Sequence, residues 1–169
     1  MTCSIPYSIL CPMRSPAPNI LAQHAPLDIW RLAEKQANRS VLKLFKTGAI
    51  IFDSYGKVVS KGCSHMKENW APRPNIHAEQ DALLKSGNVS GMTCLIVTIN
   101  KSGNHACSSK PCAFCTHIMH KAGIGRVIYA ERTNDGEWSV NDETLDNLIL
   151  RVDCDMIHET YTKQMRLIS

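Results

Sequence analysis

The spacing of apolar and polar residues along the chain predicts an alternation of strands and helices. Residues 27–38, LDIWRLAEKQAN, carry apolar residues at helical spacing and predict a first helix. Two β-rich runs, 47–53 and 57–62, flank turn residues 54–56 and predict a β-hairpin. Residues 92–99, MTCLIVTI, are almost continuously apolar, which is typical of a strand covered on both faces.

Two further helices and another strand are predicted around that apolar strand. Asn75 is the expected N-cap of a helix over NIHAEQDALLKSG, and Gly87 is expected to follow its end. Residues 111–122 are expected to be helical, because proline suits the first helical turn, and residues 126–130, RVIYA, form the next strand. The order β-β-α-β-α-β predicts an α/β fold in which a mixed sheet carries helices on its faces.

The two ends of the chain have a less regular pattern. Residues 1–25 contain or adjoin five of the eight prolines and are interpreted as a Pro-rich N-terminal arm, so that residues 26–169 form the main domain. Beyond Asn134 the sequence predicts a helix over 142–149, an edge strand over 150–157 and a closing helix over 158–166.

The composition is typical of a soluble globular protein, with 44% hydrophobic and 20% charged residues. No apolar run approaches the ~20 residues that span a bilayer. The N-terminus lacks the basic start and apolar stretch of a secretory signal. We therefore expect a cytoplasmic protein with no membrane partner. The net charge of +4, without a basic stripe, neither requires nor excludes an anionic substrate.

The eight cysteines are better explained by metal ligation and buried thiols than by a disulfide framework, since no export signal is present. Cys63 and Cys94 lie in strand patterns and are expected to be core thiols. Helical geometry turns His117 and His120 away from the face of the cysteine helix that carries Cys112, by roughly 140° and 80°. We therefore expect His117 to be solvated and His120 to lie on the flank of that face.

Two short motifs at the starts of the two predicted helices carry candidate chemistry: HAE and PCAFC. Cys112 and Cys115 are three residues apart and share one helix face, so both sulfurs can bind one ion. A helix N-terminus favours the thiolate that a metal needs. His77 supplies a third ligand, and three protein ligands leave one tetrahedral position for water, which is typical of a catalytic zinc.

Glu79 follows the histidine by two residues and is not expected to be a ligand itself. A carboxylate beside a zinc-activated water can take its proton and return it to a leaving nitrogen. This combination suits hydrolysis of an amidine-like C–NH2 group.

The pair HAE…PCAFC resembles the cytidine and deoxycytidylate deaminase family, whose signature is H-x-E…P-C-x-x-C. The resemblance covers roughly residues 47–130, including the hairpin that ends in Gly62 and the strand in GIGRVIYA. It implies a three-layer α/β/α sandwich around an about five-stranded sheet, and a homo-oligomer. It also implies zinc ligation by His77, Cys112 and Cys115, with Glu79 as the proton shuttle.

The sequence departs from the family at two places near the motifs. Where members commonly have an asparagine that contacts the sugar, this chain reads GCSH, so Ser64 or His65 stands in. The loop over residues 101–110 is longer than usual, and such loops often determine substrate choice.

Other candidate substrate contacts surround the histidine motif. Trp70 either stacks on a base or pins its loop. Arg73 and Lys67 either meet a phosphate or belong to a solvated basic loop. Ala78, between the histidine and Glu79, is added to these candidate contacts.

The leading interpretation is hydrolytic deamination of a free cytosine nucleotide or nucleoside, most like deoxycytidylate, with release of ammonia. The alternative is a nucleic-acid deaminase that acts on transfer-RNA adenosine or single-stranded cytosine, for which more basic and aromatic surface than 6% aromatics would be expected. In a third interpretation Cys107 joins His77, Cys112 and Cys115 in a structural zinc site of a non-catalytic module, which leaves Glu79 without a purpose.

Overall fold

The computed structural model describes residues 15–66, 75–106 and 108–152. Within these ranges, none of the helices combines the length and apolarity needed to cross a membrane. The helices and strands are, in chain order, α1 (Pro18–Ala22), α2 (Leu27–Asn38), β1 (Phe45–Phe52), β2 (Val58–Cys63), β3 (His65–Met66), β4 (Asn75–Ile76), α3 (Ala78–Lys85), β5 (Thr93–Asn100), α4 (Ala113–Lys121), β6 (Arg126–Arg132), β7 (Trp138–Thr144) and α5, described over 145–152.

The main sheet has five strands in the order β2-β1-β5-β6-β7. Strands β5 and β6 are parallel, whereas the other neighbours are antiparallel. The short strands β3 and β4 pair with each other outside this sheet. The mixed five-stranded sheet with flanking helices confirms the predicted α/β fold class.

Each face of the sheet packs against a separate layer of helices. Ile50 of β1 faces α2, where it joins a core cluster with Trp30 and Ala33. The next residue, Ile51, points to the opposite face and packs with Ala78 of α3. Because side chains alternate along a strand, an apolar run buried on both faces builds both halves of the core.

The described part of the Pro-rich arm includes α1. Leu21 of this helix is buried, and its carbonyl accepts a hydrogen bond of 3.0 Å from the indole nitrogen of Trp30. Residues 15–25 therefore pack against α2, while residues 1–14 lie outside the described ranges.

The helix and strand predictions hold for most of the chain. Helix α2 has the predicted bounds, and β1, β2, β5 and β6 lie where strands are expected. The predicted N-cap at Asn75 is wrong, because Asn75 pairs with Met66 in the β3–β4 ladder and His77 caps α3. Helix α4 begins at Ala113, later than predicted, with Cys112 as its N-cap.

The predictions for the C-terminal part hold only in part: residues 145–149 of the helix expected over 142–149 are helical. Strand β7 was not predicted, and residues 142–144 belong to it instead of to a helix, because they pair with the start of β6. Helix α5 begins at residue 145 and includes residues 150–152, for which a strand was expected. The remaining predictions, over 153–166, lie outside the described residues.

Strand β2 packs against α3 with no side chain between their backbones at Gly62. A Cβ atom at this position would lie 2.1 Å from the carbonyl oxygen of Ala78 and 2.5 Å from the amide nitrogen of Ala82. Gly48 makes the equivalent approach to α2, where a Cβ would lie 2.1 Å from the carbonyl oxygen of Ala33. Two glycines thus permit the close helix–sheet packing on both faces.

The substitution Gly62→Ala is expected to lower the free energy of unfolding by about 1–3 kcal/mol, because the added methyl group collides with backbone atoms that cannot move independently. Urea unfolding followed by circular dichroism measures this loss. Gly87→Ala is the matched control, since a Cβ there meets no atom within 4 Å. Equal stability of the two variants would contradict the backbone contact.

Candidate functional site

Three metal-binding atoms converge where α3 and α4 begin. His77 Nδ1 lies 3.5 Å from Cys112 Sγ and 3.3 Å from Cys115 Sγ. All three atoms lie within 4.8 Å of one another. His77 is the N-cap of α3 and Cys112 the N-cap of α4, whereas Cys115 lies in the first turn of α4.

The geometry and chemistry of this cluster fit a zinc ion. Tetrahedral zinc, with its usual bond lengths to sulfur and nitrogen, separates two such ligand atoms by roughly 3.6 Å. The two nitrogen–sulfur distances, 3.5 and 3.3 Å, agree with that separation. His77 and Cys112 are exposed whereas Cys115 is buried, so the cluster is open on one side. One imidazole and two sulfurs are a donor set that zinc prefers.

The Cys112 thiol is prepared for metal binding by its neighbours. Its pKa is lowered to about 5, first because Cys115 donates a hydrogen bond to the sulfur. The Cys115 backbone amide, at 3.5 Å from the sulfur, and the nearby His77 also lower this pKa. The same hydrogen bond, together with burial, raises the pKa of the Cys115 thiol. Cys112 is therefore the cysteine of the pair that loses its proton more readily, and zinc binding requires both thiols in the thiolate form.

Glu79 is buried beside the ligands, with 4% of its surface exposed. Burial raises the pKa of its carboxyl group above the usual value, although its own backbone amide and His77 act in the opposite direction. The Cys115 side chain hydrogen-bonds to this carboxyl group. Glu79 therefore holds a proton to higher pH than a solvated glutamate, which suits a group that receives and returns one.

A pocket of about 540 Å³ opens onto Glu79 and two of the three ligands. This volume lies in the range of small-molecule sites. Its lining residues are Leu42, Lys43, Leu44, Phe45, Thr47, Ser64, Asn75, His77, Ala78, Glu79, Ile96, Thr98, Ser109, Lys110 and Cys112.

The hydroxyl groups of the pocket are held by hydrogen bonds to one another and to the backbone. Thr47 and Thr98 are opposite each other in the β1–β5 ladder, with their hydroxyl oxygens 3.1 Å apart. The Ser109 hydroxyl accepts a hydrogen bond of 2.8 Å from the Thr98 amide. The Ser64 hydroxyl accepts one of 2.9 Å from the Thr47 amide and lies 3.1 Å from the Ser40 hydroxyl. The polar wall of the pocket is thus preorganised.

The structure brings Glu79 and the three predicted ligands together. Ser64 and Ala78 also line the pocket. His65 is not among the lining residues, and its Nδ1 lies 3.0 Å from the carbonyl oxygen of Cys63. Three other candidate substrate contacts lie outside the described residues: Lys67, Trp70 and Arg73. Cys107, the additional ligand of the structural-zinc interpretation, also lies outside them.

The remaining cysteine and histidine predictions have mixed outcomes. Cys94 is fully buried, as expected of a core thiol, whereas Cys63 is half-buried at the end of β2. His120 is not in the ligand cluster and pairs with Asp146 at 3.1 Å on the surface.

The sequence analysis missed Asp81, a buried residue that positions the start of α3. Its carboxylate accepts hydrogen bonds from the Cys63 amide at 3.0 Å and from Lys85 at 2.6 Å. The Ser60 hydroxyl donates one of 2.6 Å to the carbonyl of Ala82. The sequence offered one signal for this role, because Asp81 is an acidic residue among the apolar residues of HAEQDALL.

Pocket residues at the start of β1, in β4 and before α4 were also missed as substrate contacts. Asn75, Lys43 and Lys110 bring an amide and two ammonium groups to the pocket, and Leu44 and Phe45 bring apolar surface. The run VLKLF between a predicted helix and a strand was the available signal, because its apolar residues have no helical periodicity.

The comparisons with known proteins agree with this geometry. Residues 26–131, more than half of the chain, match the family model described as the cytidine and deoxycytidylate deaminase zinc-binding region. This match confirms the resemblance seen in the sequence and, with the ligand cluster, assigns zinc as the cofactor. No curated protein matches the chain at a significant level.

Several solved structures are similar to this one. The cytidine deaminase of Burkholderia pseudomallei has 21% sequence identity and a TM-score of 0.51, with coverage of 70% of this chain and 91% of that chain. The cytidine deaminase of Mycobacterium tuberculosis has 16% identity and a TM-score of 0.44, covering 70% and 92%. That of Mycobacterium leprae has 15% identity and a TM-score of 0.44, covering 70% and 92%. The first likeness establishes a shared fold.

Purified protein is expected to carry about one zinc ion per chain, and Cys112→Ala is expected to lose it because one of three ligands is removed. Plasma emission spectrometry of the dialysed protein measures the metal content. Cys63→Ala, which changes a cysteine outside the cluster, is the control and should retain zinc. Cys107→Ala should also retain zinc. Loss of zinc from Cys107→Ala would instead favour the structural site in which three cysteines and His77 bind the ion.

Proposed function

The chain belongs to the cytidine and deoxycytidylate deaminase family, and we propose that it removes the exocyclic amine of a free cytosine nucleoside or nucleotide, most like deoxycytidylate. Water is consumed, and the uracil form and ammonia are released. The observation that carries this proposal is the buried Glu79 beside His77, Cys112 and Cys115 at one pocket.

His77, Cys112 and Cys115 would hold the zinc ion, which would supply the Lewis acidity that makes water nucleophilic near neutral pH. Glu79 accepts a proton from the attacking water and delivers it to the ring nitrogen of the base. It then carries the second water proton to the amine, which leaves as ammonia while the carbonyl forms. The raised pKa of Glu79 supports this role, because the carboxyl group can hold each proton between the two transfers.

The pocket walls supply binding and orientation for a base and its sugar. Ile96 and Phe45 offer apolar surface to a base and exclude water from its faces. The Ser64 hydroxyl is engaged by Ser40 and by the Thr47 amide, which limits it as a sugar contact. The Asn75 side chain lines the pocket and has no hydrogen-bond partner within the described part of the chain. We assign the sugar contact to Asn75.

A panel of substrates tests the proposal by ammonia release. Zinc-loaded wild-type protein should release ammonia from cytidine or deoxycytidylate faster than from any single-stranded oligonucleotide. Glu79→Gln should lower turnover by at least ~100-fold, because it removes the general acid–base group. Its zinc content and its circular dichroism spectrum should match those of the wild type.

The matched control is Glu137→Gln, which changes an exposed glutamate in the connection between β6 and β7 and should leave turnover unchanged. Near-normal turnover in Glu79→Gln would reject the proton shuttle. Editing of an oligonucleotide without ammonia release from free cytosine compounds would reject the substrate class and favour a nucleic-acid deaminase.

The proposal includes a homo-oligomer, as the family resemblance implies. Exposed apolar side chains on the two helices that carry the site support it, since Leu84 of α3 is 71% exposed and Phe114 of α4 is 58% exposed. Light scattering at micromolar concentrations should give a multiple of the 18.8 kDa chain mass. Leu84→Lys should lower that mass, whereas Tyr55→Lys, at an exposed turn residue, should not. A monomeric wild-type mass would contradict this part of the proposal.

A further inference from the structure

A second group of metal-binding side chains lies where β2, β3 and α3 meet. Cys63 ends β2, His65 begins β3 and Asp81 lies in α3. One ligand atom of each residue lies within 4.8 Å of the other two, as in the candidate zinc site at the start of α4. The two groups share no residue, and we call Cys63, His65 and Asp81 the second cluster.

The backbone brings the three side chains of the second cluster together without a metal. Gly62 lets β2 approach α3 closely, and the Cys63 amide donates a hydrogen bond of 3.0 Å to Asp81 Oδ2. The pairing of His65 with Ile76 holds β3 beside β4, the strand that leads into α3. The second cluster is therefore preorganised by the packing around α3.

Asp81 and His65 each keep an atom for a metal ion. Both hydrogen bonds that the Asp81 carboxylate accepts within the described part of the chain go to Oδ2, from the Cys63 amide and from Lys85. Oδ1 is therefore left for a metal. His65 Nδ1 lies 3.0 Å from the carbonyl oxygen of Cys63. A histidine that donates one ring N–H to a carbonyl presents the lone pair of its other nitrogen, which is the usual arrangement of metal-binding histidines.

The donor atoms of the second cluster suit zinc. One sulfur, one imidazole nitrogen and one carboxylate oxygen match zinc, whereas magnesium and calcium prefer oxygen ligands. Zinc binding replaces the proton of the Cys63 thiol, which passes to the solvent. The thiolate and the Asp81 carboxylate then balance the two charges of the ion. Because Cys63 and His65 are only half-buried, an ion can enter from the solvent.

Positive charges around the second cluster weaken its affinity for a cation. The ammonium group of Lys85 lies 2.6 Å from Asp81 Oδ2. Arg39 and Lys61 line, together with Lys85, the cavity of about 330 Å³ that Cys63 borders. These charges repel a cation. We therefore expect dialysed protein to keep only the ion at the start of α4, and a second ion to bind when zinc is added.

We propose that Cys63, His65 and Asp81 bind a second zinc ion, which joins β2 and β3 to α3. The ion adds to the hydrogen bond by which the Cys63 amide already holds the Asp81 carboxylate. The second cluster contains none of the residues to which the proposed function gives a role, so this inference stands apart from deamination.

Zinc titration of the dialysed protein tests the proposal without any measurement of turnover. Calorimetry should show a further zinc ion per chain, and the heats in buffers of different ionisation enthalpy should report release of the thiol proton. Cys63→Ala and His65→Gln should each weaken this binding at least roughly 10-fold, because one of three ligands is lost. Both variants should retain the tightly bound zinc and the circular dichroism spectrum of the wild type.

The matched control is His120→Gln, since this histidine pairs with Asp146 on the surface and belongs to neither cluster. It should bind the added zinc as the wild type does. Absence of a further ion in the wild type would overturn the proposal. Equal binding by the wild type, Cys63→Ala and His65→Gln would also overturn it and show an adventitious ion only.

A variant that gains affinity separates the second cluster from an effect on folding. Lys85→Gln removes the ammonium group that shares the Asp81 carboxylate, so the added zinc should bind roughly 5-fold more tightly than in the wild type. Lys57→Gln removes a lysine from the connection between β1 and β2 and should leave this affinity unchanged. Equal affinities of Lys85→Gln and Lys57→Gln would overturn the placement of the ion on Asp81.

Cobalt(II), which takes the same ligand types as zinc, identifies the sulfur ligand directly. It is added to dialysed protein under conditions that retain the tightly bound zinc. Sulfur-to-cobalt charge-transfer absorption should appear in the wild type and in His120→Gln, and it should be absent from Cys63→Ala. Absorption of wild-type intensity in Cys63→Ala would assign the cobalt to another cysteine and reject the second cluster as a metal site.

Discussion

The direct contact between the backbones of α3 and β2 is the constraint on which the rest of the site depends. His77 and Glu79 lie at the very start of α3, so any shift of this helix moves both groups relative to α4. Gly62 lets the strand approach to a distance that a methyl group would prevent. Asp81 then joins the helix to the end of the strand through the amide of Cys63. Ligand geometry is thus determined by packing beneath the site.

The same region provides two opposite electrostatic environments for its ionisable side chains. Cys112 lies at an exposed helix N-terminus, where hydrogen-bond donors lower the pKa of its thiol. Glu79 lies behind it, where burial raises the pKa of its carboxyl group. A metal ligand must be deprotonated, whereas a proton shuttle must gain and lose a proton at neutral pH. The difference in burial between the two side chains meets both requirements.

Local sequence patterns predicted the elements whose burial repeats regularly, such as α2 and β5, which is buried on both faces. They also predicted the motifs that carry the candidate zinc ligands. They failed at β7, whose residues WSVNDET are mostly half-buried and depend on pairing with β6. The N-cap at Asn75 failed for a similar reason, since pairing with Met66 extends the chain before α3. The contact between the hydroxyl groups of Thr47 and Thr98 on the pocket wall was not predictable, because it depends on the β1–β5 register.

The connection between β5 and α4, over residues 101–110, is anchored on the side of the sheet opposite α3 and α4 and reaches the pocket only at its end. His105, in its middle, is buried, and its Nε2 lies 2.8 Å from a carboxylate oxygen of Glu34 on α2. The loop is thereby held against the helical layer opposite α3 and α4. It begins at the end of β5, the central strand of the sheet, and ends at the first residues before α4. Because His105 is held against α2, only Ser109 and Lys110 among the described residues of 101–110 line the pocket that contains Glu79.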